Sequence, residues 1–148
     1  MTRPFSLQAV LELMQSRSDA ATQRLAQLIA AENDARNKLT LLQQYREEYA
    51  ERFRLAAQAG LGQPEWRNYQ GFLDRLDDAI AQQDEVVRRQ ESSTASGQAA
   101  WQQQRTWLKT FDTLSQRHHA NEAKVELRQE QKMQDEFAAR NRTEKGGS

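Results

Sequence analysis

The stretch Leu7–Ala56, LQAVLELMQSRSDAATQRLAQLIAAENDARNKLTLLQQYREEYAERFRLA, decides the fold. Stepping alternately by four and three from Leu7 reaches Leu11, Met14, Ser18, Ala21, Leu25, Leu28, Glu32, Ala35, Leu39, Leu42, Arg46, Tyr49, Phe53 and Ala56. Twelve of these fifteen positions are apolar, and the spacing never slips. An apolar group every 3.5 residues keeps one stripe of a helix against a partner helix. The stretch therefore predicts a coiled-coil helix over about residues 6–59. Ser6 is placed to cap its N-terminus, with Phe5 stapling onto Val10. Gly60 suits its end, because glycine adopts the left-handed conformation without steric cost.

A turn at 60–63 leads to a second predicted helix over about residues 64–140. Pro64 fits its first position and Glu65 its positive dipole end. The seam resumes at Trp66, Tyr69, Leu73, Leu76, Ile80, Gln83 and Val87. It weakens through Gln90, Thr94 and Gly97, then recovers at Trp101, Leu108 and Phe111. So short a turn forces the helices antiparallel, and residue i should face roughly residue 122 minus i. That register sets Ser18 near Gln104 and Glu32 near Gln90, aligning polar seam residues that want partners. The run Ser92-Ser93-Thr94-Ala95-Ser96-Gly97 is the soft place, since its residues compete for backbone hydrogen bonds. A break there would give a short three-helix bundle. Too few apolar residues exist to fill such a core, which favours a continuous hairpin. Residues 143–148 read as a disordered tail. The expected fold is all-α, a long antiparallel two-helix coiled coil forming a single domain.

Composition agrees. Of 148 residues only 37% are hydrophobic and 7% aromatic, while Gln and Ala each occur 20 times. There is no cysteine, which excludes disulfides, thiolate metal sites and a cysteine nucleophile. Twenty-one basic residues balance 21 acidic ones, arguing against a general affinity for nucleic acid or anionic lipid. No segment approaches the ~20 apolar residues of a membrane span. A cytoplasmic location without membrane insertion is expected.

Two features depart from a single-stripe hairpin. Tyr45 lies off the seam but shares a face with Leu42 and Tyr49, and Phe72 lies off it beside Leu76 and Ala79. The register brings both groups to one level near the turn. They either broaden the core or form a partner-binding surface. The second departure is length. Residues after about His118 have no opposing helix, yet Val125, Leu127, Met133 and Phe137 are still apolar. A lone helix is marginal in water, so this end frays or docks onto another protein.

Signs of chemistry are lacking. His118 and His119 are adjacent, so on a helix they point about 100° apart and read as surface residues. Glu47, Glu48 and Glu51, and the pair Asp77-Asp78, read as a solvated charged face. No phosphate-binding glycine loop, nucleophile elbow, cofactor motif or metal-ligand spacing occurs. Sixteen Arg against five Lys hints at contact-forming cations, but acidic residues are interspersed.

The motif Leu42-x-x-Tyr45-x-x-x-Tyr49, the run Trp66-Arg67-Asn68-Tyr69-Gln70-x-Phe72 after the turn, and the ending Met133-x-Asp135-Glu136-Phe137-Ala138 resemble the FliJ family. Its members are small components of the flagellar type III export apparatus. The likeness covers nearly the whole chain, and the Trp-to-Phe run is its most specific part. It implies a coiled coil shaped like the shaft of F-type ATP synthases. It also implies a protein that inserts into the export ATPase ring and promotes hexamer assembly. Links to the membrane export gate and recycling of empty export chaperones follow from the same likeness, with work done at the cytoplasmic face of the cell membrane. Carried over by residue, the gate contact would be Leu42, Tyr45, Tyr49, Phe72, Leu76 and Ala79. Lys38 and Gln83 depart from the family's pattern at the edge of that face. The ATPase contact would lie at the open end, at Leu7, Leu11, Met14, Met133 and Phe137. The stalk of a virulence injectisome, an export chaperone and a generic coiled-coil scaffold are the alternatives.

Overall fold

The computed structural model describes residues 4–146, with side chains described over 7–144. Two helices make up the fold: α1, Pro4–Ala59, and α2, Gln63–Gly146, packed as an antiparallel hairpin with no strand among the described residues. The helix ends differ in detail from the expected ones. Pro4 opens α1, its fixed φ being suited to a first helical position, so Ser6 lies inside the helix. The side chains of Phe5 and Ser6, and hence the staple, lie outside the described residues. Gly60 ends α1 with φ of 102° and donates its N–H to the Ala57 carbonyl at 3.3 Å. The Trp66 N–H bonds the Gly62 carbonyl at 3.0 Å, which starts α2 at Gln63 rather than Pro64. Pro64 then sits in the first turn, where an N–H would lack a helical partner. At the far end α2 continues past residue 140 to Gly146, so residues 143–146 are helical where a disordered tail is expected. The Thr143 hydroxyl bonds the Ala139 carbonyl one turn back, at 2.9 Å.

Two compact units divide the chain, one covering Asp19–Gln103 and the other the residues up to Ser18 with those from Gln104 onward. In the first, cross-helix partners have numbers adding to between 118 and 127, as the 122-minus-i register requires. Leu28, Ala35 and Val87 are its buried apolar centre. Its polar seam residues find partners on the other helix. The Gln83 amide, buried in the seam, donates to the Ala35 carbonyl at 3.0 Å. The Thr94 hydroxyl lies 3.3 Å from the Leu28 carbonyl, and Trp101 donates its indole N–H to the Thr22 hydroxyl at 3.0 Å. Arg36 joins seam residue Glu32 to Glu91 across the pair. Helix α2 runs through 92–97 unbroken. Gly97 keeps the helices close there, because a Cβ would press on the end of the Leu28 side chain in the covered seam. The residue that weakens the helix locally is the one that lets the helices approach.

In the other unit Met14, Ser18 and Ser115 are buried, with Leu7, Leu11, Gln104, Leu108 and Phe111 half-buried around them. The α2 seam runs on through His118 and Glu122, both half-buried. His118 is therefore a seam residue and not the surface residue expected, because it falls three residues after Ser115 in the 3.5 spacing. Its Nε2 lies 3.1 Å from a Glu122 carboxylate oxygen. Every described residue from 123 to 144 is exposed.

Candidate functional site at the turn-proximal aromatic cluster

Within the Asp19–Gln103 unit the residues nearest the turn form an aromatic stack. Phe53 meets Trp66 edge-on at 4.8 Å and Tyr69 at 5.2 Å. Tyr49 continues the stack, 5.2 Å from Tyr69 and 4.3 Å from Phe72. Such contacts fall within the range of favourable tilted and edge-to-face pairs, each worth about 0.5–1.5 kcal/mol beyond burial. Seam spacing supplies Tyr49, Phe53 and Tyr69. Phe72 enters from the flank, one residue before Leu73.

That flank is open. Tyr45 is 54% exposed and Phe72 40%. With Glu48, Tyr49, Arg52 and Leu76 they line a groove of about 340 Å³. Leu42, a seam residue, and Ala79, one heptad after Phe72 on the flank, are half-buried. The structure thus brings Tyr45, Tyr49, Phe72 and Leu76 together around one depression. It gives Tyr49 two roles, because its ring is both groove wall and stacking partner. Gln83 is not at the edge of this face, since its side chain is buried in the seam against Ala35. Lys38 is exposed.

Glu48 and Arg52 are groove residues that the apolar pattern did not single out. Arg52 lies seven residues after Tyr45 and therefore on the same flank, which is the signal that could have found it. Below the groove Arg46 leaves the seam to bond Asp77 at 2.5 Å. The hydrogen bond that Arg46 donates to Asp77, and then the Asp77 charge, push the Arg46 pKa further up. On the outer face Arg54 hydrogen-bonds Glu51 and holds its carboxyl below the usual range. These pairs are exposed and orient side chains more than they stabilise the fold.

At the open end the expected contact residues separate. Leu7, Leu11 and Met14 are seam residues, with Met14 buried. Met133 and Phe137 are 69% and 66% exposed, beyond Glu122, the last half-buried residue of α2 among those described. Met133 lies about 16 Å along the helix from Glu122. Among the described residues no group of three or more His, Asp or Glu could hold a metal ion. No helix among them is long and apolar enough to cross a membrane.

An antiparallel helical hairpin with an aromatic groove near its turn is a shape several coiled-coil families could adopt, so likeness along the whole chain is decisive. The family model for the flagellar FliJ protein matches residues 3–147. The chain belongs to the FliJ family. Curated relatives include the flagellar FliJ protein of Salmonella typhi, 26% identical over 140 residues that make up 95% of each chain. The flagellar FliJ protein of Escherichia coli K12 is 26% identical over 135 residues, 91% of this chain and 92% of that one. Membership of the FliJ family makes the chain a component of the flagellar export apparatus.

Proposed function

We propose that this chain is a non-catalytic stalk and adaptor of flagellar protein export, at the cytoplasmic face of the cell membrane. It binds the export ATPase hexamer and promotes its assembly. It also links that hexamer to the membrane export gate protein and helps recycle export chaperones. The observation that carries the reading is the open aromatic groove. A stack that served the core alone would be covered, whereas Tyr45 and Phe72 stay exposed beside a depression sized for a partner's side chains. In this reading Leu42, Tyr45, Tyr49, Phe72, Leu76 and Ala79 meet the gate. The open end, with Leu7, Leu11, Met14, Met133 and Phe137, meets the ATPase. The exposure of Met133 and Phe137 supports their direct contact, while the seam positions of Leu7, Leu11 and Met14 support a role in holding the end together.

The test uses Tyr45→Ala and Phe72→Ala, because removing Tyr49 would also remove two ring contacts. Binding of the purified cytoplasmic part of the gate protein should fall at least roughly ten-fold with helicity unchanged. Undiminished binding would sink the gate assignment. Separately, the full chain should raise turnover and hexamer formation by its cognate export ATPase. No change in either would remove the stalk reading.

A further inference from the structure

A second apolar surface lies in the unit built from the residues up to Ser18 and those from Gln104 onward. In an antiparallel pair, residues just before alternate seam positions line one flank, as Arg52 and Phe72 do in the groove. In this unit the same positions hold Val10 and Arg17 from α1, with Trp107 and Leu114 from α2. Seam spacing sets Leu114 at the level of Val10, and Trp107 at that of Arg17. Leu13 extends the apolar area one turn after Val10. Leu13, Trp107 and Leu114 are 48%, 40% and 44% exposed. Single exposed apolar residues are ordinary, but several on one flank mark a contact surface.

The charges on this flank say what covers it. Arg17, Arg117 and Lys124 occupy its border, all exposed and without an ion pair among the described residues. Between Val10 and Lys124 no carboxylate shares the flank, and the nearest on it is Asp135, three turns beyond Lys124: Glu12, Asp112 and Glu126 fall on the opposite side of the repeat. In a chain with as many acidic as basic residues, that segregation is specific to the place.

We propose that this flank docks an amphipathic helix of a partner protein whose apolar stripe is bordered by Glu or Asp. Leucine-sized groups of that helix pack on Val10, Leu13, Trp107 and Leu114. Its carboxylates meet Arg17, Arg117 and Lys124, fixing orientation and excluding basic helices. A lipid surface fits less well, since anionic membranes are recognised by clusters of roughly four to eight cations. The proposal does not rest on the contacts assigned to the aromatic groove or to Met133 and Phe137.

The experiment titrates the full chain with two labelled synthetic helices of about 20 residues, long enough to hold helical structure. They share a leucine stripe and differ in bordering it with Glu or with Lys. The Glu helix should bind, and more weakly as salt rises, while the Lys helix should bind at least roughly ten-fold less tightly. Leu114→Ser and Arg117→Glu should each weaken the Glu helix by a similar factor with helicity retained. Met133→Ala with Phe137→Ala should leave it unchanged, separating this surface from the open-end contact. Equal binding of both helices, or full binding by both flank variants, would overturn the proposal. So would capture of the chain by phosphatidylglycerol vesicles in place of the Glu helix.

Discussion

The segment around Val87 and the segment around Met133 belong to the same helix and obey different rules. Near Val87, which is 4% exposed, every seam position of α2 is covered by α1, and polar seam residues bond across the pair. From 123 to 144 every side chain is exposed and the apolar ones are scattered. Both stretches are helical, but tertiary burial holds one and intrinsic propensity holds the other. Helical content alone therefore says little about where stability resides.

The sharpest way to break the comparison is to place a charge in each segment. Val87→Asp buries an unpaired carboxylate and should cost about 3–5 kcal/mol in urea denaturation. Met133→Asp should change stability by less than about 0.5 kcal/mol. If the two substitutions cost the same, the distinction is lost. Two glycines refine it further. Gly71 has open space where a Cβ would sit, so Gly71→Ala should stabilise by about 0.5–1 kcal/mol through helix propensity alone. Gly97→Ala gains the same propensity but meets Leu28 in a covered seam, where overpacking costs about 1–3 kcal/mol. It should lower Tm while Gly71→Ala raises it. Next, amide hydrogen exchange should be fast across 123–144 and slow across the covered seam. Uniform protection along α2 would require a hidden contact for its end. The smallest effect concerns pH. Arg54 lowers the Glu51 pKa, so the pair's contribution is present above the ordinary carboxylate pKa and lost as pH falls through the lowered one. Because both side chains are exposed, Glu51→Gln should remove that acid-side dependence with almost no change in Tm near neutral pH.

Most of the fold was legible because one number, the 3.5-residue repeat, governs it. The fifteen positions stepped off from Leu7 are all buried or half-buried. The antiparallel register followed from the short turn, and the cross-helix bonds of Gln83, Thr94 and Trp101 obey it. The 100° between adjacent His118 and His119 reads as two surface residues, whereas the seam spacing assigns them different faces. Counting on from Ser115 would have placed His118 inside. Tyr45 and Phe72 could be found as departures from the stripe. Arg52 follows Tyr45 by one heptad and is reached by the same count, whereas Glu48 carries no apolar signal and only the groove shape selects it. Helix starts were off by one or two residues for a related reason. Pro4 and Pro64 tolerate more than one position in a first turn, so the cap is chosen by backbone bonds that side-chain patterns do not encode.

The seam's polar contacts use an unequal vocabulary. Gln83 and Thr94 of α2 address carbonyl oxygens of α1, at Ala35 and Leu28, and not side chains. A carbonyl is supplied by any amino acid, so the α1 side chain at position 35 can vary within its size limit without erasing the acceptor. Deleting one residue from α1 would move every acceptor past its donor. For these two bonds the alignment is written in the side chains of α2 and only in the residue count of α1, whereas Trp101 reads an α1 side chain, the Thr22 hydroxyl.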